Sequence, residues 1–203
     1  IENATLEDVK RFFFFFYRPA NAILTVAGHV TTAQVRQLAE KWFGDIPSGE
    51  HYIRHLPQEP VQTTPRKLEV HANVPVDAFY KCWHICSRTD RRYYATDLLT
   101  EVLSGGGSSR LFQSLVKEKQ LFSNIGCYHF GSIDAGLAAI EGKLVKGVKM
   151  EEAESAVEAE LQKIKNTLVE EKELRKVKNK TESLITFEDM SLMNRAGSLS
   201  FCS

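Results

Sequence analysis

Two groups of residues in this chain have the types and spacing of metal ligands. His51 and His55 stand four apart in His51-Tyr52-Ile53-Arg54-His55. On a helix that spacing puts two imidazoles on one face, where they could share a zinc ion. Cys82, His84 and Cys86 alternate along the chain. On a strand they would point to one side, and thiolates with an imidazole suit zinc. A zinc peptidase also needs a glutamate as general base, in HExxH or HxxEH. Tyr52 and Arg54 hold the two candidate positions, and Arg54 would set a cation beside the metal. The histidines also lie among prolines rather than in a helical pattern, so two exposed linker histidines is the better account. Alternate ligands on a flat strand stand about 7 Å apart, with Cys127 the one candidate for a fourth group. A packed strand face is the plainer reading there.

A third candidate is the glycine run Gly105-Gly106-Gly107 before a helix, which invites comparison with a phosphate-binding loop. A Walker loop needs a preceding strand and a Lys-Ser/Thr pair. Here a helical stripe precedes, and Ser109-Arg110 stands where the lysine pair should be. The run reads instead as a tight helix–helix turn, with Ser108 or Ser109 capping the second helix. GGGSSR is not a nucleophile elbow. The carboxylate pairs Glu151-Glu152 and Glu170-Glu171 lie in charged helices and read as solvated faces. The residues alone offer no convincing catalytic set.

Around these candidates the chain supplies ordinary globular elements. Apolar residues make up 43% of 203, enough for a sizeable core. Lys+Arg and Asp+Glu both number 26. That balance excludes the basic footprint of a nucleic-acid or membrane-surface protein. No apolar run approaches the roughly 20 residues of a membrane span. The four cysteines contain no C-x-x-C pair and read as free thiols. The chain opens on Ile rather than Met, shows no signal-peptide pattern, and reads as a piece of a longer protein.

In order, Thr5 with Asp8 predicts a capping box and a helix to about Tyr17. Its run Phe12–Phe16 should be buried on nearly all sides. Ala22–Ala27 predicts a buried strand. Thr31 or Thr32 opens a helix with Val35, Leu38, Ala39 and Trp42 inward, stopped by Gly44. Residues 47–65 are a proline-rich linker. Lys67–Val74 alternates as a half-buried strand, and Ala78–Cys86 predicts a second. Leu98–Leu103 forms the helix before the glycine turn, and Leu111, Phe112 and Leu115 give the next helix its buried face. Phe122–His129 and Ala135–Val145 predict two more strands. Met150–Thr167 is an amphipathic helix with Ala153, Val157, Leu161 and Ile164 inward, and Glu170–Phe201 is mostly another. This order predicts an α+β domain: an antiparallel or mixed sheet with helices packed on one face.

Two stretches together resemble the M16 family of zinc peptidases (pitrilysin, insulin-degrading enzyme, mitochondrial processing peptidase). Thr5–Pro47, TLEDVKRFFFFFYRPANAILTVAGHVTTAQVRQLAEKWFGDIP, is similar to the family's "l..F...yY.P.N..l.v.Gdv......l..kyFg.ip". Leu103–Ser123, LSGGGSSRLFQSLVKEKQLFS, is similar to "L.gG.sSRLf..lRe..gLaYs". The resemblance implies the M16 (LuxS/MPP-like) metallohydrolase fold and a place in the family's C-terminal, non-catalytic domain. Residues 1–46 would be the closing or bridging helix–strand–helix of the repeat. Residues 66–203 would be the inactive peptidase domain, stopping short of the family's last strand and helix.

No HxxEH occurs here, so the resemblance implies that the parent's zinc ligands and general base lie upstream. The parent would then cleave peptide bonds with a zinc-activated water. This piece would carry no metal and no catalytic residue. It would form the wall of a substrate chamber facing the zinc domain. In many members that wall supplies an arginine and a tyrosine to the substrate backbone. Those motif positions are Val116 and Ser123 here, and both functions are lost, since valine has no donors. A partner subunit could supply the pair, or the parent could be a non-catalytic scaffold. Gly105, Gly106, Ser109, Arg110 and Leu111 would hold the helix turn. An open sheet edge could also pair copies into a homodimer.

Overall fold

A computed structural model describes residues 3–53, 55–57 and 59–202. It divides the chain into two compact units, residues 1–57 with 184–203, and residues 58–183.

The larger unit is built on a three-stranded antiparallel sheet of β1 (Ala78–Ile85), β2 (Phe122–Phe130) and β3 (Gly136–Leu144), in the order β1-β3-β2. One face packs against α3 (Tyr93–Ser104), a short π-helix (Phe112–Glu118) and α4 (Met150–Asn166). Phe79, Ile125, Ile140 and Leu144 of the strands meet Leu103, Leu111, Leu115, Val157 and Leu161 of the helices. The α+β architecture with helices on one sheet face is therefore as the patterning predicts. Alternation along each strand sends every second residue to this core. The helical spacing of Ala153, Val157 and Leu161 buries one stripe of α4. The strand Lys67–Val74 does not form. The segment is extended but unpaired, with Leu68 86% and Val70 73% exposed. Alternation licenses a strand only where a partner edge receives it.

The smaller unit contains α1 (Leu6–Phe16), a 3-10 turn (Pro19–Asn21), α2 (Thr32–Phe43) and α6 (Leu192–Cys202). Its local signals work as predicted. Thr5 and Asp8 form a capping box on α1, Thr31 and Gln34 form one on α2, and Gly44 ends α2. Its burial does not. Phe12–Phe15 are exposed, Phe14 at 66%, Phe16 is only half-buried, and Leu38 and Trp42 of α2 are exposed. The aromatic rings pack mainly on one another: Phe13 stacks on Tyr17 at 5.1 Å, and Phe16 meets Tyr52 edge-on at 5.0 Å. Ala22–Ala27 lies in neither a helix nor a paired strand. The single helix expected over Glu170–Phe201 is two, α5 (Glu171–Glu188) and α6, separated by a turn at Asp189-Met190-Ser191.

Among the described residues no helix is long and apolar enough to cross a membrane.

Candidate functional site

The glycine turn joins α3 to the π-helix. Gly105 donates its N–H to the Glu101 carbonyl at 2.7 Å and closes α3. Gly106 follows at φ +113°, a conformation that L side chains rarely adopt. A Cβ at Gly105 would collide with the Glu101 main chain. Gly107 has neither constraint.

The helix beyond the turn is not the expected one. It widens into i→i+5 geometry, with Lys119 N–H bonding to the Ser114 carbonyl at 2.9 Å. Neither serine caps it. Ser108 Oγ accepts from Lys176 at 2.8 Å, and Ser109 Oγ is buried without a hydrogen-bond partner among the described residues.

The first turns of α5 grip this corner. Arg110 forks onto Glu173 at 2.6 Å and 3.1 Å, and that hydrogen bond holds the guanidinium above its ordinary pKa. Lys180 reaches Glu101 at 2.5 Å and the Gly105 carbonyl at 3.2 Å. Glu173, Lys176 and Lys180 recur at helical spacing and meet the turn from one side. Arg110 and Lys180 are thus neutralised, and Lys176 already holds a hydroxyl, which does not describe a phosphate cradle. Beneath the corner, Leu111 and Leu115 are fully buried.

A buried polar contact fixes the π-helix to α4. Ser114 donates to Glu160 at 2.6 Å, and Lys163 reaches the same oxygen at 2.7 Å. Burial pushes the Glu160 carboxyl up, but the bonds from Lys163 and Ser114 outweigh it and hold the group below its ordinary value of 4.5. Sequence reading missed this site. Its signal was Glu160 one position before Leu161 on the inward stripe of α4.

The two positions aligned with the family's arginine and tyrosine lie on different elements. Val116 sits half-buried on the π-helix against the core. Ser123 is exposed at an irregularity of β2, where the register shifts between Phe122 and Asn124, and donates to the Lys143 carbonyl at 3.1 Å. Gln120, between them, takes φ +52° at the place where the family motif has glycine.

The sulfur and imidazole candidates separate. Cys82, Ala139 and Tyr128 are cross-strand neighbours on the outer sheet face, whereas Cys127 aligns with Ile140 and Lys81 on the helix-covered face. Cys127 cannot complete a site with Cys82 and His84. Burial pushes its thiol up to about 11. His84 stands 3.6 Å from Glu59. His51 meets the Ala20 carbonyl at 2.9 Å and belongs to the 3-10 turn's packing. Arg54 lies outside the described residues. Among the described residues, no three His, Cys, Asp or Glu groups converge as metal ligands.

The outer sheet face carries Tyr80, His84, Tyr128, Phe130, Glu141 and Lys143. Tyr128 donates to Glu141 at 2.7 Å, and that bond pushes its phenol up to about 12. Tyr128 and Phe130 pack edge to face at 5.2 Å. Among the described residues, the buried cluster lies on the opposite face.

Comparison with known proteins places the arrangement. The family described as the peptidase M16 inactive domain matches residues 3–181. The zinc protease PqqE of Helicobacter pylori is 29% identical over 181 residues, covering 88% of this chain and 41% of its own. A crystal structure of a protease from H. pylori superposes at TM-score 0.90 and 26% identity, over 98% of this chain and 49% of that one. A peptidase M16 inactive domain from Pseudomonas fluorescens shares the fold, at TM-score 0.77 and 18% identity over 98% of this chain and 47% of that one. This chain therefore spans about half the length of such relatives. With the family match running over residues 3–181 on a helix-backed antiparallel sheet, the chain belongs to the peptidase M16 inactive domain family.

Proposed function

We propose that this chain is the non-catalytic domain of an M16-type zinc metalloendopeptidase and forms the substrate-chamber wall opposite the zinc-bearing domain. The observation that carries the reading is the inactive-domain match over residues 3–181. The outer sheet face supports it. That face is lined with aromatic and polar side chains and free of helices, a surface on which an extended peptide can lie. The chain itself holds no zinc; its metal belongs to the parent's upstream domain. The glycine turn, with Arg110 clasped by Glu173, keeps the π-helix and β2 in place behind the wall. In this reading residues 1–46 close or bridge the repeat, residues 47–65 link, and residues 66–203 form the inactive domain.

The test is peptide hydrolysis by this chain, by a zinc-bearing M16 half, and by the two together. Hydrolysis by the pair alone is the expected result. Zinc-dependent cleavage by this chain alone overturns the proposal.

A second reading rests on Val116 and Ser123, which lack the donors the family places there. The parent would then be a structural subunit without peptidase activity, or would borrow the pair from a partner subunit or a second copy. Restoring both groups with V116R and S123Y separates these cases. A gain in hydrolysis supports a weakened peptidase, and no activity in either form supports the scaffold.

A further inference from the structure

A carboxylate drawn out of water needs a cation or several hydrogen bonds to offset the loss of hydration. Among the described residues, every buried or half-buried aspartate or glutamate but one has an arginine, lysine or histidine beside it, as Glu101 has Lys180 and Glu158 has Lys81. The exception is Glu141. It is half-buried on β3, the middle strand, and belongs to the outer sheet face. One of its oxygens accepts from Tyr128 at 2.7 Å, and among the described residues no cation reaches it. Tyr80 of β1 stands directly across from it, 67% exposed. Lys143, two positions along the same face, is exposed and forms no ion pair with it. Tyr80, Asn124, Glu141 and Lys143 line a shallow depression there. A single phenol offsets only part of what the carboxylate loses. Tyrosine rings attract cations through their faces, so the surroundings of Glu141 favour the same guest as its charge.

We propose that Glu141, between Tyr80 and Tyr128, is a subsite for one cationic side chain, lysine or arginine, of a peptide lying on the outer sheet face. The inference rests on the reading of that face as a peptide-binding wall. The occupant follows from charge complementarity: the carboxylate lacks a counter-charge within the chain, and a basic side chain brings one while its alkyl stem lies along the tyrosine rings. Tyr128 keeps its hydrogen bond to one oxygen and orients the carboxylate, leaving the other oxygen for the incoming ammonium or guanidinium.

Peptide binding to the full chain tests this, by titration calorimetry. The probes are three extended peptides, acetylated and amidated at their ends, that differ only in a central lysine, norleucine or glutamate. The lysine peptide should bind about tenfold tighter than the norleucine one, as a charge-assisted hydrogen bond implies. Glu141→Gln, whose amide oxygen still accepts from Tyr128, should bring the lysine peptide down to the norleucine affinity. An unchanged urea midpoint shows that this variant is folded. Equal binding of lysine and norleucine peptides overturns the subsite but leaves the wall reading standing. A lysine preference that survives Glu141→Gln also overturns it. Tighter binding of the glutamate peptide assigns the depression to Lys143 and overturns the proposal. Binding of none of the three overturns both the subsite and the reading of this face as a peptide surface.

Discussion

The unit with the better local signals is the one without a core. Capping boxes at Thr5 and Thr31 start its helices and Gly44 ends α2, whereas in the larger unit no side chain caps α3, the π-helix or α4, and Gly105 ends α3. Residues 58–183 convert those helices into a core around Phe122, Leu111 and Leu115. Residues 3–57 and 184–202 do not, although their apolar side chains are as large. Helix signals are satisfied within a few residues, whereas burial requires a second surface. An aromatic run such as Phe12–Phe16 therefore measures what a region needs to pack against, not what the chain itself provides.

Substitutions can break or sharpen this contrast. The largest effect belongs to the packed unit. Leu115→Ala should cost about 3 kcal/mol in urea unfolding, as full burial of a leucine implies. Phe14→Ala should stay within about 0.5 kcal/mol in the same chain. A comparable loss at Phe14 would mean that α1 already has its partner.

Next comes the buried carboxylate. Ser114→Ala should cost about 1–2 kcal/mol by removing a donor from Glu160. Because Glu160 titrates lower in the folded state than when unfolded, its contribution is complete above its ordinary value of 4.5 and fades as pH falls through the lower folded value. Glu160→Gln should flatten the acid limb of a stability–pH profile in that window. An unchanged limb would remove the group from the account.

Around the glycine turn, Gly106→Ala should cost about 1 kcal/mol and Gly107→Ala much less, read by thermal melts. Equal losses would mean that backbone conformation is not what Gly106 supplies. The smallest effect is a gain. Gln120→Gly should stabilise by about 0.5–1 kcal/mol by relieving a left-handed side-chain conformation.

The sequence made the sheet, the covering helices and the glycine corner legible, because each rests on short-range patterns. Three things were not. The strand pattern of Lys67–Val74 says which faces are apolar but not whether an edge waits for them. The i→i+5 widening of Phe112–Glu118 lasts only 7 residues, too few for the spacing to separate it from an α-helix. Nothing local marks Glu173, Lys176 and Lys180, since their partners are more than sixty positions away. The reading of Val116 and Ser123 as the places of a family arginine and tyrosine rests on the motif alone.

The order β1-β3-β2 also governs how the chain can fold as it is made. β2 and β3 are neighbours in sequence and can zip together through a short turn. β1 emerges first yet bonds only to β3, behind α3, the glycine turn, the π-helix and β2. At roughly 5–20 residues per second of synthesis, β1 waits for seconds with Phe79 and Trp83 unsheltered. Its apolar stretch is therefore the part of the sheet left longest without a partner, and Lys81 is the one lysine, arginine or carboxylate within it to deter premature pairing.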